Sequence, residues 1–176
     1  MRIVLLGNAG SGKSTMARRL AAESPAARLS LDDIAWKDGP ERRPLEESLA
    51  ELRRFLDAHD AWIVEGCYGD LVEAALPRCT ELRFLNPGTE ACVAHCRARP
   101  FEPDKFATPE AQQAMLETLV AWVNEYETRD DEYGLKRHRA IFDGFRGPKR
   151  EYTDAAGYGS CARTVSRASA RRRRSG

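Results

Sequence analysis

A three-layer α/β fold, with a parallel sheet of about five strands and helices on both faces, is the architecture this sequence predicts. Three observations lead there. Short apolar runs recur at 2–6, 27–31, 61–68 and 82–86. Segments with apolar residues at helical spacing separate them. The glycine-rich stretch Gly7-Asn8-Ala9-Gly10-Ser11-Gly12-Lys13-Ser14 joins the first run to the first helical segment. Alternating strands and helices imply parallel pairing and right-handed crossovers. In such sheets ligands gather at the carboxyl ends of the strands.

The elements follow in order. Residues 2–6 form a buried strand that stops at Gly7. Residues 14–22 form a helix with Met16, Ala17, Leu20 and Ala21 on one face. A second strand at 27–31 ends at Asp32-Asp33. Leu45, Leu49, Leu52, Phe55 and Leu56 recur at helical spacing and define an amphipathic helix. The third strand lies in AWIVEGCY, 61–68, and the fourth in LRFLN, closed by Asn86-Pro87-Gly88. Thr89 is placed to cap a helix running to about Arg99, which Pro100 stops. Thr108-Pro109 opens another, with Met115, Leu116, Leu119, Val120, Val123 and Tyr126 as its apolar face. HRAIFDGF reads as the end of a helix and KREYT as a fifth, edge strand.

The 176 residues fit one domain able to bury a core, and the 42% hydrophobic content is that of a globular protein. No apolar run approaches the roughly 20 residues that span a bilayer. The apolar run at 3–6 is too short for a signal peptide, so a cytoplasmic protein without membrane contact is expected. Cys67, Cys79, Cys92, Cys96 and Cys161 contain no C-x-x-C pair and read as reduced thiols packed as small hydrophobes. Cys92, His95 and Cys96 fall on adjacent helical turns, but without a second cluster nearby in sequence they predict no metal site.

Charge is unevenly distributed. Residues 162–176, ARTVSRASARRRRSG, hold six arginines and no acid, leaving 22 basic against 27 acidic residues, net −5, in the rest. We therefore expect a domain over 1–153 and a disordered basic tail over 154–176. The tail offers nucleic acid a generic contact through counterion release, without specificity.

Gly7 to Ser14 matches G-x-x-x-x-G-K-[ST]. Its glycines let the backbone wrap a phosphate, and N–H groups from Ala9 to Ser14 and Thr15 can point inward at the positive end of the following helix. In this pattern Lys13 reaches the β- and γ-phosphates and the Ser14 hydroxyl binds Mg²⁺. ATP and Mg²⁺ are the expected cofactors. No N-K-x-D element reads guanine and no L-S-G-G signature is present. Asp131 to Gly134 fits D-x-x-G, but no strand precedes it. The predicted fold is thus the three-layer P-loop NTPase fold, in the form of a compact kinase.

Acids follow the next strands. Asp32 and Asp33 end the second strand, where a carboxylate can accept the proton of a hydroxyl that attacks phosphorus. Asp32 is the favoured catalytic base and Asp33 a substrate candidate. Trp36 can stack on the acceptor, and Arg42 and Arg43 can hold it if it is anionic. Glu65 ends the third strand, where an acid orients a Mg²⁺-bound water. Transfer also needs positive charge over the phosphoryl oxygens. Arg97 and Arg99, at a helix end before the lid-like PFEPDKF, are candidates, followed by Arg129, Arg137, Arg139 and Lys149.

The phosphate loop, LDDIAW and WIVEGCY together resemble the small bacterial kinases related to adenylate kinase and shikimate kinase. They resemble most the shikimate kinase-like group of DNA topology modulation (flagellar regulator-like) proteins. That group shows L-D-x-x-x-W after strand two, matched by Leu31, Asp32 and Trp36. It shows W-[IV]-x-[DE]-G-x-Y at strand three, matched at 62–68. RARPFEPDKF and HRAIFDGFRGPKRE resemble uncharacterised members, so the likeness spans 1–153. Shikimate kinases carry an acid-x-acid pair after strand two and three glycines after strand three. Here the acids are adjacent and the stretch is Glu65-Gly66-Cys67. The resemblance implies the ATP half of a kinase reaction with a small-molecule acceptor. The alternative is a P-loop ATPase or nucleotide-gated regulator without a metabolic acceptor, associated with nucleic acid through the tail.

The tail lacks an apolar pattern to pack. Deleting 162–176 should therefore leave the melting temperature and nucleotide affinity nearly unchanged, as read by differential scanning fluorimetry and ligand titration. A large loss of stability would show that the tail docks on the body.

Overall fold

The computed structural model describes residues 1–37, 41–103, 106–154 and 158. Of the expected basic tail only Asp154 and Tyr158 are among them, and the remainder of that expectation lies outside the described residues. Five strands, β1 (Arg2–Gly7), β2 (Ala27–Ser30), β3 (Trp62–Gly66), β4 (Glu81–Leu85) and β5 (Lys149–Tyr152), form one sheet. Their order is β2-β3-β1-β4-β5 and every pairing is parallel. The central strand β1 pairs Leu5 with Glu65 on one side and Arg83 on the other.

Alternate residues of the sheet feed two cores because side chains in a strand point to opposite faces. Val4, Leu6, Val64, Leu82 and Phe84 face one core. It is covered by α3 (Leu45–Ala58), α4 (Gly69–Ala75) and α7 (Leu135–Gly144). Ile3, Leu5, Ile63 and Leu85 face the other, beneath Met16, Ala17 and Leu20 of α1 (Lys13–Ala22). Leu52 and Leu56 of α3 are 0% and 2% exposed. Each such side chain contributes about 1.5–3 kcal/mol of burial. A third cluster joins Cys92 and Cys96 of α5 (Thr89–Arg97) to Val123 of α6 (Pro109–Asn124), with Ala9 of the glycine loop packed against it. The α5–α6 pair therefore rests on the loop.

Several elements differ from the sequence reading. The third strand ends at Gly66, and Cys67 and Tyr68 lead into α4, a helix the apolar pattern did not separate from the strand. Asp32 and Asp33 begin a short helix, α2 (Asp32–Ala35), rather than ending β2. Gly88, at φ +90°, precedes α5, and the Thr89 hydroxyl donates to Glu127 Oε1 at 3.1 Å instead of capping. Met115 is 56% exposed, so the covered face of α6 runs through Leu116, Leu119, Val120 and Val123. Thr108 does cap α6, accepting from the Ala111 N–H at 3.2 Å. No helix among the described residues is long and apolar enough to cross a membrane.

His138 of α7 ties this face together. It is fully buried, and its Nε2 donates to the Cys67 carbonyl at 2.9 Å. Its Nδ1 is left as an acceptor for the Tyr126 hydroxyl at 2.8 Å. Burial, helped by the charge of Lys13, pushes the imidazole down to about 4. The unfolded chain, with an ordinary imidazole near 6.5, binds the proton more readily. Stability should therefore fall as pH drops from 6.5 towards 4, by up to about 1.4 kcal/mol per unit. Urea unfolding midpoints across that window check this, and His138→Gln should flatten the dependence.

Candidate active site

The loop between β1 and α1 is a concave row of unpaired donors. The N–H groups of Gly10, Gly12, Lys13, Ser14 and Thr15 meet no acceptor among the described residues, and the first helical bond runs from Met16 N to Gly12 O. Orphan donors at a helix start form an anion site, and here the loop adds to them. Gly10 and Gly12 adopt φ +77° and +92°, which L side chains rarely accept. A Cβ on Gly7 would lie 2.3 Å from Leu85 O and one on Gly10 2.2 Å from Cys92 O. The loop is thus seated closely between β4 and α5.

Side chains hold it from several sides. Asn8, 2% exposed, donates to Val123 O at 3.1 Å and accepts from Ala9 N–H at 2.8 Å. His95 Nδ1 donates to Gly10 O at 2.8 Å. Lys13 is 8% exposed and its ammonium donates to Asn8 O at 2.8 Å, across the loop. Ser11 Oγ is buried without a partner among the described residues.

Of the acids expected around this loop, Glu65 lies one residue before the end of β3, and Asp32 and Asp33 open α2. Glu65, 3% exposed, shares the α1 face of the sheet with Ile63 because both occupy the same phase of β3. Ser14 is exposed on the first turn of α1. Their hydroxyl and carboxylate are hard oxygen donors of the kind Mg²⁺ takes, beside a cradle built for phosphate. Burial pushes the Cys67 thiol up to about 12. The charges of Lys13, Asp32 and Glu65 act on it as well.

Asp32 is oriented by a relay. The Trp36 indole N–H donates to Tyr68 Oη at 2.6 Å, and Tyr68 Oη donates to Asp32 Oδ1 at 2.6 Å. Burial and the Asp32 charge push the Tyr68 pKa upward, so the phenol stays a donor. Asp33 is exposed. Arg43 donates from Nε to Trp36 O at 3.1 Å.

Arg42 is brought back by an antiparallel bridge between Trp36 and Arg42. It pairs with Asp70 at 3.1 Å, bonds Glu132 and Tyr133, and lies 4.8 Å over the Tyr68 ring. Arg42 Nε and Glu132 Oε2 are buried without partners among the described residues. Burial, then a hydrogen bond with Asp70, pushes Glu132 up to about 7 against the pull of Arg42.

The arginines separate into two groups. Arg129 lies 4.2 Å over Trp122 and bonds Glu125, and Arg139 bonds both oxygens of Glu151. Arg137 bonds Glu73, and Lys149 donates to the last carbonyls of α7 at Phe142 and Asp143. These four brace the fold. Arg97 reaches Glu117 at 3.9 Å on the exposed side of α6. Arg99 is exposed, and its charge, with that of Lys13, acts on Cys96, the thiol beneath Gly10. Sequence assigned no role to Tyr68, Asp70, Glu132, Tyr133 or His138. The signals present were Tyr68 at the end of the 62–68 motif, His138 at the head of HRAIFDGFRGPKRE, and D-x-x-G at 131–134, whose Glu132 and Tyr133 meet Arg42.

Strand order, all-parallel pairing and the loop after β1 define a P-loop nucleotide-binding domain of the NTPase fold. A family model described as an AAA domain matches residues 3–78. No curated protein matches. Among solved structures, a shikimate kinase from Bacteroides thetaiotaomicron is 18% identical, covering 71% of this chain and 78% of that one, with a TM-score of 0.46. An unliganded sugar kinase from Janibacter sp. is 16% identical, covering 76% and 82%, with a TM-score of 0.44.

Gly10→Ala should lower stability by about 2 kcal/mol or more, since it adds a left-handed penalty of roughly 1–2 kcal/mol to a backbone clash. Denaturant unfolding would read this. Unchanged stability would show that the loop does not need α5 so close.

Proposed function

We propose that this protein is an ATP- and Mg²⁺-dependent phosphotransferase that moves the γ-phosphoryl group to a hydroxyl of a small molecule. The observation that carries the reading is the row of unpaired N–H groups at the start of α1, with the carboxylate of Asp32 fixed nearby. A cradle alone fits any nucleotide-binding protein. A relay through the buried Tyr68 that aims a carboxylate fits one that moves a proton.

The roles follow from the chemistry. The N–H groups of Gly10 and of Gly12 to Thr15 hold the β- and γ-phosphates, and Lys13 leaves Asn8 O to neutralise them. Ser14 and Glu65 hold the magnesium, Glu65 partly through water. The ion supplies charge neutralisation along the phosphate chain. Tyr68 occupies one oxygen of Asp32 and leaves the other for the acceptor hydroxyl. As the acceptor oxygen bonds to phosphorus and the bond to ADP breaks, the hydroxyl proton passes to Asp32. Arg99 is the better placed arginine for the transferring group, since Arg97 would first have to leave Glu117.

Charge narrows the acceptor. Asp70 and Glu132 pair with Arg42, so its guanidinium is already engaged and is not free to hold an anionic acceptor. With Asp32 and Asp33 also on the acceptor side, a neutral or cationic hydroxyl compound is favoured over a phosphate or carboxylate. Trp36, 39% exposed, offers it an aromatic face beside Arg43. The resemblance of LDDIAW and WIVEGCY to small bacterial kinases supports the ATP half of the reaction and does not bear on the acceptor.

Acceptor-dependent ADP release across sugars, amino sugars and nucleosides tests the proposal. Lys13→Ala should abolish turnover in a folded protein. Asp32→Asn should cut transfer roughly 10²–10⁴-fold at near-normal ATP affinity, while Asp33→Asn should be mild. Wild-type rates in both aspartate variants would sink the hydroxyl-acceptor mechanism.

A further inference from the structure

The chain returns to the phosphate loop after β5. Tyr158 lays its ring against Gly12, where a Cβ would come within 2.7 Å of Tyr158 Cε2. Its hydroxyl donates to Ser11 O at 2.7 Å. Its own carbonyl accepts from Arg19 Nη1 of α1 at 2.7 Å. Its ring meets that of Tyr152 edge-on, with centroids 5.8 Å apart. The end of β5, the flank of α1 and the loop are joined through this residue.

The peptide between Ser11 and Gly12 is planar and trans, so its C=O and N–H point in opposite directions. With the carbonyl turned to Tyr158, the Gly12 N–H is sent the other way, and it meets no acceptor among the described residues. A flip of this peptide would replace that donor by a carbonyl oxygen and set a negative dipole towards the phosphates. Gly12 has no Cβ to resist such a flip. The loop's own chemistry therefore leaves this peptide free to turn, and a contact from outside must fix it. Burial pushes the Tyr158 pKa upward, so the phenol remains a donor at neutral pH.

We propose that Tyr158 is a positioning residue of the phosphate loop, whose hydroxyl fixes the Ser11–Gly12 peptide so that the Gly12 N–H faces the phosphates of the nucleotide. This rests on the loop being a nucleotide site. It adds a residue from beyond β5 to the machinery, within the stretch that sequence reading assigned to the tail.

The test is the affinity of the full chain for Mg²⁺–ATP and for Mg²⁺–triphosphate, which lacks base and ribose. Tyr158→Phe keeps the ring against Gly12 and Tyr152 and removes only the hydroxyl. It should weaken both ligands equally, by about three- to tenfold, the worth of one net hydrogen bond, with the melting temperature lowered by no more than about 2–4 °C. Tyr158→Ala should weaken both further. If the wild-type protein binds neither ligand, the nucleotide reading fails, and this proposal with it. If it binds both and Tyr158→Phe matches it, only the positioning role is overturned. A loss confined to ATP would also overturn it, because Tyr158 would then be touching the nucleobase.

Discussion

A loop that offers its donors to a ligand must leave them unbonded to itself. That requirement shapes much of this molecule. Five N–H groups between Gly10 and Thr15 stand without acceptors among the described residues. Internal bonds, from Ser11 N–H and Lys13 Nζ to Asn8 O, hold only one side of the loop. Support comes from elements distant in sequence. Asn8 reaches α6, His95 of α5 reaches back to Gly10, and Tyr158 reaches Ser11 from beyond β5. The α5–α6 pair and the edge strand can be understood as scaffolding for a dozen atoms of backbone.

The same logic operates on the acceptor side. A catalytic carboxylate has to be aimed, and an exposed aspartate at the start of a one-turn helix aims poorly. The Trp36–Tyr68–Asp32 relay supplies the direction, and Arg42 supports Tyr68 from behind its ring. Asp70, Glu132 and Tyr133 then hold Arg42. Each layer fixes the one inside it. Proximity to the phosphate loop comes from the order of strands: β3 lies directly beside β1, so Glu65 and Tyr68 emerge next to Lys13.

Much of the fold was legible in the sequence because its signals are local. β1, β3 and β4 are apolar runs bounded by turn residues, and Thr108-Pro109 carries its own cap. Where competing local signals met, the reading slipped. Thr89 was a plausible cap, but Gly88 could take φ +90°. Met115 fitted the helical stripe, yet the face that meets α5 runs one residue round the helix, through Leu116 and Leu119. α4 was hidden because Leu71, Val72 and Ala75 follow the strand's apolar run with little break. The phosphate loop was legible as a motif, and so were the acids after β2 and β3. The Arg42 cluster was not, because it joins residues 28 to 91 positions apart whose side chains are ordinary surface types. Tyr158 was hidden by its neighbours, since a low-complexity stretch gives no sign that one of its side chains is seated.

Burial around the loop also sets its behaviour towards electrophiles and oxidants. Cys67 is pushed up to about 12, Cys79 and Cys92 to about 11, and Cys96 upward as well, in each case chiefly by burial. A thiol must ionise before it attacks an oxidant or an alkylating agent. These four are therefore quiet in the closed molecule, although three of them lie within reach of the Lys13 charge. For Cys92 and Cys96, which pack with Ala9 of the loop, reactivity is governed by how often the loop and the α5–α6 pair come apart. Their thiol chemistry is thus a clock for opening, and a ligand that seals the loop slows it without touching a sulfur atom.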